Sequence, residues 1–432
     1  MPDTLKLTAV LEASAPARMA PQLAPFFAGA DGQPTIDMTR LQPPICYWAV
    51  YRRGAERVTF KSFFAGADYE PYVAKLREYY SDRVGRPDHP GGGLAFLPEL
   101  NGVLWKFPFD PAMPGLGRAL DGDWIAEAVR RPARALTPEL LDYNPEIGAV
   151  LVYRDERGRR TVFGKVSPTD TAGLEYLVMD ELWRSPARQR GDLLVSRPLA
   201  YRHELGLLLQ ARVRGRPFIG RRNSRSYIEL AAAAGAAAAA LHSTEVAIGP
   251  ERDLEHFLAR LADGLDELAL TAPPLHVSMR RLIEQIRVRA ARTLPDGPVP
   301  SHGDLKYDQL LRYRRRFILI DFEMFCRAEP WLDVGHFCAY LPPSTPDDWR
   351  DGAAAELARA RFLGAYQRAA GQPINWERLA LYEAAVLALR GLSYVWAHDL
   401  DWQIRASAMI DLAFERLVSP EPGANVEGLL PV

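Results

Sequence analysis

The residues best suited to chemistry lie in two short segments of the chain, 301–309 and 320–323. Asp304 places a carboxylate on a loop, Gln309 adds an amide oxygen five residues later, and Asp321 adds a second carboxylate after a short apolar run. Mg²⁺ prefers hard oxygen ligands of this kind. Phosphoryl transfer requires an oriented hydroxyl, a metal ion on the phosphates and a cation nearby. The set therefore predicts a phosphoryl-transfer site, with Asp304 accepting the hydroxyl proton and Gln309 and Asp321 binding Mg²⁺.

The context of these residues resembles the aminoglycoside and choline phosphotransferase family, whose members are relatives of the protein kinases. The resemblance rests on His302-Gly303-Asp304-Leu305, on Ile320-Asp321-Phe322 and on Trp331-Leu332-Asp333-Val334. It extends over about residues 140–420 and is specific only within 301–335. It implies an α+β fold with two lobes, ATP and Mg²⁺ as cofactors, and a hydroxyl of a small molecule as acceptor.

The resemblance also assigns roles outside the motif. Lys165 corresponds to the strand lysine that binds the α- and β-phosphates, with Lys61 as a more distant rival. Its partner carboxylate is Glu175 or, alternatively, Glu181; we favour Glu175. The segment from Gln210 to Val213 corresponds to the hinge whose backbone meets adenine.

Four other residues of the motif region bear on the site. His302 and Asp333 are expected to give structural support to the catalytic loop. Lys306 either contacts the transferred phosphate, as in protein kinases, or is a surface lysine. Glu323 has three alternative roles: a position near the metal, a contact with substrate, or structural support.

Two departures from the family pattern bear on the nucleotide and on the acceptor. No glycine-rich loop precedes Lys165, and residues 144–148 are expected to stand in for it. Gln309 stands where asparagine is usual. Bacterial maltokinases and related sugar kinases resemble this chain in that glutamine, in Asp321-Phe322-Glu323 and in a long N-terminal extension. This favours a carbohydrate or amino-sugar acceptor.

The elements that must position these residues fall into a strand-rich first part and a helical second part. Two strand–turn–strand–helix sets occur, which either reflect a duplication or share only turn chemistry; they are residues 45–80 and 149–183. A strand near 205–209 leads into the hinge, and helices are expected at about 227–243, 251–268, 275–293, 332–340, 350–370, 375–396 and 400–418. The predicted fold is a two-lobe, protein-kinase-like α+β fold with an N-terminal α/β extension. We expect domains at 1–130 (extension), 131–215 (N-lobe) and 216–432 (C-lobe).

The composition and net charge of the chain argue against several classes of binding partner, including nucleic acid and membranes. The net charge of −1 provides no general attraction to nucleic acid or to an anionic membrane. No secretory signal is evident, and the alanine-rich run 230–241 is too short to cross a bilayer. Three cysteines argue for a reducing, cytoplasmic location. Of these, Cys326 and Cys338 flank His336 without a common zinc spacing, so we expect inert thiols rather than a zinc site.

Two other functions are compatible with the sequence. Lys306 admits a protein kinase, although the segment after Asp333 lacks a long activation loop. A nucleotide-binding pseudokinase that regulates a partner through residues 1–130 is the other alternative. The identity of the acceptor, the role of residues 1–130 and the oligomeric state stay open.

Overall fold

A computed structural model describes residues 3–27, 32–42, 45–130, 136–168, 172–218, 225–342, 352–397, 401–419 and 421. Its helices are Asp3–Ala13 (α1), Pro16–Leu23 (α2), Gly66–Tyr79 (α3), Leu116–Ala119 (α4), Gly122–Ala128 (α5), Ala172–Arg184 (α6), Pro186–Arg190 (α7), Arg225–His242 (α8), Leu254–Asp263 (α9), Leu265–Thr271 (α10), Pro273–Ala290 (α11), Trp331–Tyr340 (α12), Gly352–Ala370 (α13), Trp376–Ala397 (α14) and Trp402–Val418 (α15). Its strands are Thr35–Gln42 (β1), Cys46–Arg53 (β2), Glu56–Phe63 (β3), Leu94–Leu97 (β4), Gly102–Lys106 (β5), Thr137–Asn144 (β6), Gly148–Arg154 (β7), Arg160–Val166 (β8), Pro198–Arg202 (β9), Leu207–Ala211 (β10), Arg216–Pro217 (β11), Val299–Ser301 (β12), Leu310–Tyr313 (β13), Arg316–Leu319 (β14) and Cys326–Ala328 (β15).

The N-terminal unit, residues 3–128, is built on an antiparallel sheet of order β1-β2-β3-β5-β4. Side chains alternate between the two faces of a strand, and both faces of β2 are buried. Tyr47 and Tyr51 pack with α2, whereas Trp48 packs with α3. The strand–turn–strand–helix set predicted at 45–80 is present as β2, β3 and α3. The sequence did not predict α1, α2, β1 or β4.

The N-lobe sheet has the order β6-β7-β8-β10-β9. This is the strand order of the N-terminal unit, and in both sheets a helix follows the third strand. The repeated set expected from the sequence thus extends to five strands. Lys61 and Lys165 are each the sixth residue of the third strand of their sheet.

The C-lobe is a helical unit around the motif region. The predicted helices agree with α8, α11, α12, α13, α14 and α15 to within a few residues. The single helix expected at 251–268 was wrong, because the chain forms α9 and α10 on either side of Gly264. The alanine-rich α8 packs closely on α13: a Cβ on Gly235 would lie 2.3 Å from Phe362 O.

One helix among the described residues, α14, is long and apolar enough to cross a bilayer. Within its most apolar window, 78% of the residues are buried inside the protein. It is packed in the core of the C-lobe against α12 and α15.

Small antiparallel pairs of strands position the motif within this helical unit. β12 pairs with β15 on one side of residues 302–309, and β13 pairs with β14 on the other. The loop that carries Asp304 therefore leaves one short sheet and enters another. Asp321 lies two residues after the end of β14. The β13–β14 hairpin therefore brings the carboxylates of Asp304 and Asp321 to the same end of the lobe.

Candidate active site

The loop before Asp304 is fixed by one buried carboxylate. Asp333, at the start of α12, accepts hydrogen bonds from the backbone N–H of His302 (2.6 Å) and of Gly303 (2.8 Å). Its Oδ2 also lies 3.1 Å from His242 Nε2. Burial by itself raises the pKa of this carboxyl, but His242 and the backbone donors outweigh burial and lower it. Gly303 has φ +79°, and a Cβ there would lie 2.0 Å from Met324 O, so the loop requires glycine at this position.

His302 is fully buried and contacts the next strand. Its Nε2 donates to Ile320 O at 2.9 Å, and its ring lies 5.0 Å from that of Phe322. These contacts join the loop of Asp304 to the segment of Asp321. They are contacts of packing and hydrogen bonding rather than of a group exposed to substrate.

Asp304 is surrounded by hydrogen-bond donors. Lys306 Nζ lies 2.8 Å from Oδ2, Gln309 Nε2 3.2 Å from Oδ2, and His336 Nε2 3.2 Å from Oδ1. His336 Nδ1 lies 3.0 Å from Leu305 O, which can only accept, so Nδ1 donates to this carbonyl. Burial by itself raises the pKa of the Asp304 carboxyl, but His336 and Lys306 hold it well below its usual range. Asp304 is therefore an ionised carboxylate.

Lys165 brings the N-lobe to the same place. Its Nζ lies 2.5 Å from Asp321 Oδ1, 2.7 Å from Glu323 Oε2 and 3.1 Å from Glu175 Oε2. Burial by itself lowers the pKa of Lys165, but the three carboxylates raise it above its usual value. Burial raises the pKa of Glu175 to about 7, and Lys165 only partly offsets this. Of the two candidate partners, Glu175 makes the ion pair, whereas Glu181 is exposed.

Glu175 also joins α6 to the C-lobe, because its Oε1 accepts from the N–H of Phe322 at 3.1 Å. Asp321 itself has φ +67°, a left-handed conformation that is unfavourable for a side chain with a Cβ. Such strain is typical of residues whose orientation serves function.

The negative charge around Lys165 would favour a divalent cation. Three carboxylates face one ammonium group, so the site carries an excess of negative charge. Asp321 is 38% exposed in its side chain and is therefore accessible to a ligand. Gln309 lies beside Asp304 and is mostly buried. Among the described residues, no group of three or more His, Cys, Asp or Glu side chains forms a ready metal site, so any metal would depend on Gln309 and on phosphate oxygens as well.

The predicted hinge lies at the end of β10. Gln210 on β10 is paired with Phe163 of β8, the strand that also carries Lys165. The N–H groups of Ala211 and Arg212 are bonded to Arg197 O (2.8 Å) and Thr161 O (3.1 Å). Within the described part of the chain, the N–H of Val213 makes no such backbone bond.

His336 is the site residue that sequence reasoning missed. It was considered only as a zinc ligand with Cys326 and Cys338; both cysteines are buried and free, and His336 faces Asp304 instead. The available signal was its position three residues after Asp333, since residues at i and i+3 lie on one face of a helix. Glu323 was considered, but its contact with Lys165 was not predicted.

The chain is similar to known proteins in both sequence and structure. The model of a family described as the phosphotransferase enzyme family (APH) matches residues 151–382, more than half of the chain. No curated protein sequence matches the chain significantly.

Solved structures with the same fold include two aminoglycoside phosphotransferases. A candidate enzyme of this type from Ralstonia eutropha JMP134 is 18% identical with a TM-score of 0.51, and 70% of this chain aligns with 98% of that one. A thermostable mutant of the aminoglycoside phosphotransferase APH(4)-Ia is 14% identical with a TM-score of 0.51, and 69% of this chain aligns with 99% of that one. At this level of identity the likeness shows the fold, and it confirms the predicted two-lobe, kinase-like architecture.

Proposed function

The chain belongs to the phosphotransferase enzyme family, and on that premise we propose that it transfers the γ-phosphate of ATP to a hydroxyl of a small molecule. The match confirms the predicted family and the predicted class of enzyme, a small-molecule kinase. The observation that carries the proposal is the meeting of Lys165 from the N-lobe with Asp321 from the C-lobe at 2.5 Å. It brings a phosphate-binding cation and a metal-binding carboxylate into one cleft, beside the loop of Asp304.

In the proposed reaction the acceptor oxygen forms a bond to the γ-phosphorus, while the bond from that phosphorus to the β–γ bridging oxygen breaks and ADP leaves. Asp304 orients the hydroxyl and takes its proton. Because the pKa of Asp304 is held low, proton transfer occurs late, as the new P–O bond forms, which agrees with the loose transition state of phosphoryl transfer. His336 and Lys306 fix the direction of the carboxylate.

The nucleotide would be bound by groups from both lobes. We assign the α- and β-phosphates to Lys165, with Glu175 holding that lysine in place, and the transferred phosphate to Lys306. Gln309 and Asp321 would hold Mg²⁺, which when bound neutralises the phosphate charge.

Three further assignments complete the nucleotide and loop model. The hinge from Gln210 to Val213 would meet adenine through the N–H of Val213. His302 and Asp333 would keep the loop of Asp304 in its reactive geometry.

We further propose a carbohydrate or amino sugar as the acceptor class. Gln309 and Glu323 support this, since the sugar kinases that the chain resembles share both. Glu323 Oε2 lies 2.7 Å from Lys165 Nζ, and the Glu323 side chain is 33% exposed. In this proposal its carboxylate stands beside that of Asp321, within reach of an acceptor. The buried free cysteines fit a reducing compartment such as the cytoplasm.

The decisive test offers ATP and Mg²⁺ to the purified protein with panels of sugars, amino sugars, amino alcohols and protein substrates, and measures ADP and the phosphorylated product. We expect an ester on one class of small molecule. Asp304→Asn should lower kcat by about 10²–10⁴-fold while leaving ATP affinity within about twofold. Asp308→Asn, an exposed carboxylate on the same loop, is the matched control and should stay close to wild type. Phosphate transfer only to protein, or full activity of Asp304→Asn, would overturn the proposal.

A further inference from the structure

The turn between β6 and β7 is held by side chains of the N-terminal unit. Arg40 donates to Asn144 Oδ1 at 2.7 Å and to Pro145 O at 3.2 Å. Asp110 accepts from the N–H of Glu146 at 2.9 Å. Three consecutive residues of the turn are thus bound by a part of the chain that lies outside the family match.

Glu146 is the centre of this contact. Its carboxylate accepts from Lys61 Nζ (2.8 Å), Trp48 Nε1 (2.8 Å) and Tyr72 OH (2.8 Å). The side chains of Lys61 and Glu146 are only 9% and 14% exposed. The Lys61 ammonium also lies 4.2 Å from the ring centroid of Tyr72 and 4.8 Å from that of Trp48. Three hydrogen-bond donors thus converge on one largely buried carboxylate and fix the position of the Glu146 side chain.

The backbone of Glu146 is strained in support of that contact. Its φ is +60°, in the left-handed region, where a residue with a Cβ is disfavoured. The surrounding hydrogen bonds hold it there. Strain that is stabilised in this way is typical of residues that position a site.

The location of the turn connects it to the nucleotide. Lys165 is paired with Val150 on β7, and β7 begins at Gly148, two residues nearer the turn. Two residues of strand span about 7 Å. The turn therefore lies at the same end of the sheet as the contact between Lys165 and Asp321.

The same N-terminal unit reaches the C-lobe. Thr39 Oγ1 on β1 lies 3.5 Å from Ala397 O at the end of α14. Between these elements is a cavity of about 590 Å³ whose lining includes Trp48, Glu146 and Trp396. The unit thus contacts both the turn and the lobe that carries Asp304.

We propose that Glu146 is a positioning residue for the nucleotide, held by the N-terminal unit so that the β6–β7 turn covers the triphosphate beside Lys165. This inference rests on the proposed function. It gives residues 3–128 a role: they replace the flexible glycine-rich loop of other kinases with a turn fixed from outside. Lys61 stands at the strand position of Lys165 but binds a protein carboxylate in place of phosphate.

The test compares the affinities of wild type and variants for ATP and for adenosine by calorimetry, together with KM and kcat. Glu146→Gly removes the carboxylate and tolerates the positive φ. We expect it to weaken ATP binding about tenfold, with the affinity for adenosine and the KM of the acceptor unchanged. The matched control, Glu156→Gly, alters an exposed residue of the turn at the opposite end of the sheet and should behave as wild type.

The outcomes separate the two proposals. If wild type does not bind ATP, the proposed function falls and this inference with it. If wild type binds ATP and Glu146→Gly binds it equally well, the positioning role alone is overturned. The same holds if Glu146→Gly loses affinity for ATP and for adenosine by the same factor. Should Glu146→Gly fail to fold, the charge-matched double variant Lys61→Met with Glu146→Gln is judged by the same ratio of ATP to adenosine affinity.

Discussion

Removing the Asp333 carboxylate should destabilise the C-lobe and displace the catalytic loop. Asp333→Ala leaves the buried N–H groups of His302 and Gly303 without their acceptor. Each such orphan costs about 1–3 kcal/mol, and His242 loses its partner as well. Because a desolvated carboxylate is removed at the same time, we expect a net loss of about 3–4 kcal/mol of unfolding free energy.

The assay is thermal unfolding together with steady-state kinetics. A loss of that size lowers the melting temperature of a lobe of about 200 residues by roughly 6–16 °C. A loop displaced by about 1 Å should reduce kcat by about 10²-fold. Asp333→Asn keeps one acceptor oxygen and should fall between wild type and Asp333→Ala. The control Asp411→Ala removes an exposed carboxylate of α15. If Asp333→Ala melts no lower than that control, the account of the loop is wrong.

Three further changes probe the groups around the two lysines. Lys165→Met removes a charge-assisted contact worth about 1.5–3 kcal/mol and should weaken ATP binding by about 10–100-fold in calorimetry; unchanged affinity would contradict its role. His336→Gln removes the imidazole that helps to hold down the pKa of Asp304, so the acid limb of the kcat–pH profile should move to higher pH, and a profile that stays in place would count against this. The native pKa of Glu175, about 7, exceeds its unfolded value of about 4.3, so the folded state binds more protons between these values; unfolding free energy should fall as pH rises through that window by up to about 1.4 kcal/mol per unit. Urea unfolding from pH 5 to 8 should show a steeper fall in wild type than in Glu175→Gln, in which the buried Asp110, with a pKa raised to about 6, still contributes below that pH.

The motif and its immediate support were accessible from the sequence because they are local. The spacing of Asp304, Gln309 and Asp321 corresponds to one loop and one hairpin, and Glu175 and Glu181, six residues apart on α6, cannot share a face, so only one of them could pair with Lys165. In these cases a short stretch of regular structure decides which side chains meet.

The contacts missed by the sequence are those between distant segments. Lys61 and the turn at 144–148 were both noted, but 85 positions separate Lys61 from Glu146, and neither position has a pattern that pairs them. Edge strands such as β1 are half exposed on their outer side and carry weak alternation, so the full five-stranded sheet of the N-terminal unit was also not predicted. Long-range pairing of this kind depends on packing rather than on local propensity.

The two third-strand lysines show why identical positions in identical sheets acquire different roles. Among the described residues, Lys61 meets one carboxylate, Glu146, and the pair is neutral, enclosed by aromatic rings and complete without a ligand. Lys165 meets Glu175, Asp321 and Glu323, so its site has more negative than positive charge. A partly buried excess of carboxylate is costly unless a cation compensates it or a proton is taken up, and the raised pKa of Glu175 reflects that cost. A divalent cation carried by a nucleotide would relieve it. Charge balance therefore distinguishes the self-contained Lys61–Glu146 pair from Lys165, the lysine that we propose binds phosphate.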